Sequence, residues 1–361
     1  MLHAPTALRR LRAQSLTDPP NASALATAIS LGAIQAQDYA QSLWAIGVRT
    51  AGMTAALVEQ AVIDRQILRT WTMRGTIHFV PARDANWIVA LCATRQIRAA
   101  ALMHRHLGLD AATFARAGDL FREQLQIPVS RPDIFAMLQR NGIATDGQRG
   151  YHLLVYHAQS SLIALGPMAG KQPTAVLLDT WVRDPVRLSL DDALVEFARR
   201  YFTSHGPATI ADFANWAGLT LTEARRGHDA IRASLVENSL HGISHWMHAA
   251  VAGTDTDKSA APLLLLPAFD EYLLGYKDRG AVLPDEYSGR VAPGKNGVFK
   301  MLLVEHGEVT GIWSRTVRTK GVELELAFFG PSRRRRKATI DEACERYARF
   351  LGLPVVRRTL V

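Results

Sequence analysis

Apolar positions in this chain recur mostly at three- and four-residue intervals, the spacing of helices that bury one face. On that spacing helices are predicted over residues 6–15, 23–31, 38–48 and 54–65. The period then changes. Ile67 to Val80 reads as two short strands turning at Arg74-Gly75, so three helices lead into a hairpin, the order of a winged helix. A long helix follows over 84–106. The order recurs with helices at 131–139 and 151–159 before a strand at 162–165. It recurs again with helices at 189–202, 210–217 and 221–233 before strand-like residues 235–247. Past Gly253 strands dominate, at 263–266, 298–305, 309–314 and 322–329, and a last helix covers 340–350. The pattern predicts an α+β fold of three tandem winged-helix units with a C-terminal strand-rich part, divided as 1–125, 126–187, 188–252 and 253–361.

Composition narrows the function classes. With 361 residues, 48% hydrophobic and 21% charged, the chain has the make-up of a globular protein with room for two or three cores. No apolar run approaches the roughly 18 residues of a membrane span; the densest, residues 260–268, is broken by Pro262 and Pro267. Forty-two Lys and Arg against 33 Asp and Glu leave a net charge of +9, which favours a polyanionic partner. The basic run from Ser332 to Lys337 reads either as a phosphate-contacting edge or as a solvated turn. Cys92 and Cys344 form no CxxC pair and no disulfide framework. The basic N-terminus has no signal-peptide core, so a reducing, cytoplasmic setting is expected.

The stretch that concentrates polar chemistry is Leu31-Gly32-Ala33-Ile34-Gln35-Ala36-Gln37-Asp38-Tyr39-Ala40. Positions i and i+2 share a face on extended backbone but not on a helix. Gln35 and Gln37 therefore converge only if this piece is extended or loop, and Asp38 then stands where a helix N-cap belongs. The plain alternative is two surface glutamines ahead of a capped helix. His104 and His106 form an HxH pair without a third ligand group, so no metal is expected. Phosphate-cradling and dinucleotide glycine motifs do not appear, and no cofactor is expected. The acids of Phe269-Asp270-Glu271-Tyr272 read as capping and ion-pairing groups rather than a catalytic pair.

Five stretches resemble the AlkZ-type winged-helix DNA glycosylases, in the right order across nearly the whole chain. They are IQAQD (34–38), RTWTMRGTIHFVPARD (69–84), GPATIADFANWAGL (206–219), LPAFDEYLLGYKDR (266–279), and NGVF followed by GIWSR. Gln35-Ala36-Gln37 looks like the two-glutamine version of that family's catalytic motif. The resemblance implies excision of N7- or N3-alkylated purines from double-stranded DNA, with interstrand crosslinks among the candidate lesions. It also implies winged-helix units that wrap the duplex, and a monomer working on nucleoid DNA.

An alkylated purine is cationic and leaves readily, so the protein's task is to stabilise an oxocarbenium-like sugar and hold one water. A neutral amide can accept that water's hydrogen bond. Gln37 is assigned to the water and Gln35 to water or sugar positioning. Asp38 is the neighbouring carboxylate, read as a cap. Arg65, Arg69, Arg74, His78, Arg95 and Arg98 are the expected DNA contacts, with Arg74 at the hairpin turn aimed at phosphate or the minor groove. Trp71 is read as core. The competing reading is a non-catalytic winged-helix transcription regulator, for which residues 221–233 offer Arg225, Arg226 and His228 as base readers.

Overall fold

Caps set where most helices begin. In this computed structural model, which describes residues 3–17, 21–240, 242–253, 262–294, 297–330 and 337–361, Ser23 accepts from the Ala26 amide to open Ala24–Leu31. Asp38 accepts from the Gln41 amide at 3.1 Å to open Tyr39–Gly47, the cap that its position in the sequence predicts. Thr209 and Thr220 each complete a capping box, with Asp212 and Glu223, ahead of Ile210–Ala217 and Leu221–Ile231. The basic run before the last helix, Ser332 to Arg336, lies outside the described residues.

In chain order the strands are β1 (Ile34–Gln35), β2 (Ile67–Trp71), β3 (Ile77–Pro81), β4 (Val129–Ser130), β5 (Ile163–Ala169), β6 (Gln172–Leu177), β7 (Leu235–Leu240) and β8 (Ile243–His248). They continue as β9 (Leu264–Leu266), β10 (Met301–Glu305), β11 (Glu308–Arg318), β12 (Gly321–Phe328) and β13 (Val355–Leu360). The fold is mixed α and β, and the chain separates into two compact units. One joins Met1–Val58 to Val195–Val361, and the other is Glu59–Leu194.

In the first unit a five-stranded sheet runs β13-β12-β11-β10-β9. Strands β9 to β12 pair antiparallel, whereas β13 lies parallel to β12. A parallel neighbour needs a crossover, and the helix Lys337–Leu351 supplies it. That helix packs Tyr347 and Phe350 against Trp44, at ring separations of 5.1 and 4.9 Å. β7 and β8 form a separate hairpin.

In the second unit β2 and β3 form the expected hairpin, joined by the turn Met73–Gly75, and the strands run β3-β2-β5-β6-β4. The helices Ala111–Gln124, Arg131–Arg140 and Arg149–Gln159 pack Phe114, Phe121, Leu138 and Leu153 into one core with Trp71. The helix Ala111–Gln124 and strand β6 are elements that the apolar spacing alone does not single out.

Candidate active site

The glutamine segment leaves the helix Ala24–Leu31 through Gly32, whose φ of 80° turns the chain into the extended pair Ile34-Gln35. Gln35 is only 8% exposed, and Gln37, past a bend, is exposed. The two are tied to each other, because Gln35 Oε1 accepts a hydrogen bond from the Gln37 amide at 3.3 Å. Gln35 cannot swing freely while that bond holds, and Gln37 presents its side chain outward from a fixed backbone.

Beneath Gln35 lies a carboxylate drawn from a distant part of the chain. Glu271 Oε1 accepts the Gln35 amide at 3.1 Å, and its Oε2 accepts the Trp216 indole N–H at 2.8 Å. The Nε2 of His205 stands 3.6 Å from the same Oε2. Burial, outweighing the neighbouring Glu271, holds the His205 pKa below its ordinary value. Next to Glu271 in sequence, Asp270 takes a two-pronged grip from Arg49, at 2.7 and 2.8 Å, and caps the Tyr272 amide. Arg49 also donates to Gln14 Oε1. Gln14 in turn donates to the Glu271 backbone carbonyl and to the Tyr276 hydroxyl.

Asp270 thus does the capping and pairing expected of it. Glu271 does more than the sequence suggests, since it holds the backbone of Gln35. The signal was present: two acids inside the apolar run LLLLPAFDEYLLGY must be buried, and buried acids need donors. The packing there is tight. A Cβ at Gly275 would lie 2.4 Å from His205 Cδ2 and 2.6 Å from the Glu271 carbonyl oxygen, so only glycine fits.

The predicted DNA contacts of the second unit occupy varied surroundings. Arg74 sits at the hairpin turn with φ 55°, half-buried. Its neighbour Gly75 approaches Gln96 on the helix Ala85–His106, which also carries the half-buried Arg95 and the exposed Arg98. Arg65 and Arg69 are engaged elsewhere: Arg65 stacks over Trp181 at 4.4 Å, and Arg69, 5% exposed, donates to the Met168 sulfur. His78 is fully buried, with Nδ1 3.0 Å from both Thr72 Oγ1 and the Thr76 carbonyl. A carbonyl only accepts, so Nδ1 carries the proton. Trp71 is core, as expected, at 4% exposure.

Residues 29–350 match the model of the family described as DNA glycosylase AlkZ-like. The chain belongs to that family. Its enzyme class follows: it is a DNA glycosylase. The chain is 25% identical over 371 residues, covering 95% of each chain, to the interstrand DNA cross-link repair glycosylase of Streptomyces sahachiroi. The solved structure of the Streptomyces sahachiroi DNA glycosylase AlkZ superposes with a TM-score of 0.83 at 21% identity, covering 100% of both chains. That likeness establishes the fold. The five stretches quoted from the sequence all lie on it, and three of them supply Gln35, Trp216 and Glu271 to one constellation.

Proposed function

We propose that this glycosylase hydrolyses the N-glycosidic bond of N7- or N3-alkylated purines in duplex DNA, interstrand crosslinks included, with Gln35 and Gln37 as the residues at the sugar. The observation that carries the reading is the tie between them: an exposed glutamine, Gln37, on backbone fixed by Gln35, itself anchored by Glu271. Catalysis of a reaction with a good leaving group needs prearranged dipoles more than a strong acid, and a fixed amide is such a dipole. Gln37 accepts from the attacking water and presents its carbonyl oxygen to the developing sugar cation. Gln35 fixes that geometry. Asp38, committed to capping, is left out of the chemistry.

The winged-helix reading supplies the DNA contacts. Arg74, Arg95 and Arg98 meet phosphate or the minor groove, while the enclosed Arg69 and His78, and the half-buried Arg65 stacked on Trp181, shape the surface that carries them. The net charge of +9 supports a long-range attraction to the duplex. No helix among the described residues is long and apolar enough to cross a membrane. We place the enzyme, as a monomer, on nucleoid DNA in the cytoplasm. The printed name of the Streptomyces sahachiroi relative supports crosslinks as a substrate class.

The test is base release from duplexes carrying N7-methylguanine or an N7-linked interstrand crosslink. Gln37→Ala is expected to lower release about 10²-fold with duplex affinity unchanged, the magnitude usual for one lost transition-state dipole. Release that survives Gln37→Ala but vanishes in Asp38→Ala would overturn the assignment. No release of either base, with affinity intact, would overturn the lesion class.

A further inference from the structure

A cavity of about 410 Å³ opens beside the glutamine segment and has no part in the scheme above. Asp38, directly after Gln37, lines it together with Ala268, Phe299, Ile312, Glu325 and Ala327. Three of the five stretches that carry the family resemblance meet there, since Asp38 ends IQAQD, Ala268 belongs to LPAFDEYLLGYKDR, and Phe299 and Ile312 belong to NGVF and the GIWSR that follows it. Its floor is unusual for its place. Along β11 and β12 burial alternates, and Ile312 and Ala327, direct cross-strand partners, lie on the outward face of the sheet, where polar residues are the rule.

The lining describes its guest. Phe299 offers a ring, held by the Arg279 guanidinium at 4.8 Å and the Phe269 ring at 6.3 Å. Phe269 itself is kept at φ 59°, a conformation costly for an aromatic residue and one that tends to mark functional ground. Asp38 and Glu325 bring two carboxylates to the rim against the single ammonium of Lys300. Apolar floor and aromatic wall, with the Asp38 and Glu325 carboxylates at the rim, suit a flat, ring-bearing group attached to a positively charged base. The volume falls in the range of ligand pockets, roughly 300–1,000 Å³. It is far larger than a methyl group.

We propose that this cavity is an adduct subsite: it receives the ring-bearing substituent of a bulky alkylated purine while the glutamines act at the sugar. Resting on the lesion class proposed above, it makes the enzyme discriminate by the size of the alkyl group. A methylated base reacts without using the cavity, whereas a bulky one gains binding from it.

The experiment compares kcat/KM for release of N7-(naphthylmethyl)guanine and N7-methylguanine from the same duplex by wild type, Ala327→Trp, which fills the cavity from its floor, and Phe299→Ala, which removes its wall. Circular dichroism and duplex affinity check that each variant is folded. Both variants are expected to lower release of the naphthylmethyl base at least about tenfold, in the range one hydrophobic-pocket change commands, and to leave methyl release within about twofold. Equal losses on the two substrates, or no loss on either, would overturn the subsite. Wild type that releases the methyl base but not the bulky one would also overturn it, leaving the lesion class standing. Release of neither would sink both.

Discussion

The two compact units differ in the polar groups at the heart of their packing. In the first, full charges go inside as pairs: Arg49 and Asp270 are both sealed from solvent, and Glu271 is satisfied by the Gln35 amide and the Trp216 indole. In the second, the buried polar rings are imidazoles, with His104 packed among Phe114, His152 and Tyr156. His157 lies 5.0 Å from Phe121. Burial lowers the pKa of His104 and His152, and takes His157 down to about 4. A paired charge fixes direction, because it dictates which donors must face it; a neutral ring mostly fills space. The difference fits what each unit holds, an extended segment tied through the Gln35 amide in one and a packed helical core in the other. The first unit buries imidazoles too, His228, His245 and His205, the last held low in pKa inside the charged network.

That contrast can be broken in order of size. Asp270→Ala strands the Arg49 guanidinium inside the protein, and losing one partner of a buried pair costs about 3–5 kcal/mol. Urea denaturation with hydrogen exchange read on Tyr39–Gly47 should show it, and a loss under 1 kcal/mol would mean that the pair is not buried as described. Acidification tests the other unit through His157. The unfolded chain protonates His157 near its ordinary 6.5, the folded chain only near 4, so stability is complete above 6.5 and is lost as pH falls through that interval. The loss approaches about 3 kcal/mol from this group. Exchange on Arg149–Gln159 at pH 7 and pH 4.5 measures it, and His157→Leu should flatten the dependence; equal slopes in both proteins would refute the claim. Glu271→Gln is the mildest change. The new amide puts a donor against either Gln35 N–H or the Trp216 indole, and base release should fall about tenfold, or ~1.4 kcal/mol, with duplex affinity kept. Unchanged release would show that Gln35 needs no such anchor.

Much of the architecture could be read from apolar spacing because the elements carry their own boundaries. Asp38, Ser23, Thr209 and Thr220 sit at caps, and Arg74-Gly75 at a turn. The elements that escaped are locally ambiguous. The helix Ala111–Gln124 contains Gly118, a poor helix former, placed there because a Cβ would come within 3.0 Å of the His157 ring. Strand β6 contains Pro173, and β13 exists through its parallel pairing with β12, which no local pattern announces. The site divides the same way. Alternation and a following cap mark Gln35 and Gln37 as a candidate pair, and it is the family resemblance that sets them above two plain surface glutamines, while Glu271 could not be joined to them, since sequence carries no distance between position 35 and position 271. Exposure was equally hidden: nothing in RTWTMRGTIHF marks Arg69 and His78 as enclosed and Arg74 as partly open.

The hydrogen bond from Gln35 to Glu271 joins residues 236 positions apart. On a ribosome adding roughly 5–20 residues per second, the glutamines emerge on the order of 10–50 s before the acid that holds them. During that interval the nascent chain carries the glutamine segment without the carboxylate that accepts the Gln35 amide. A product broken off before position 271 carries the glutamines without their anchor.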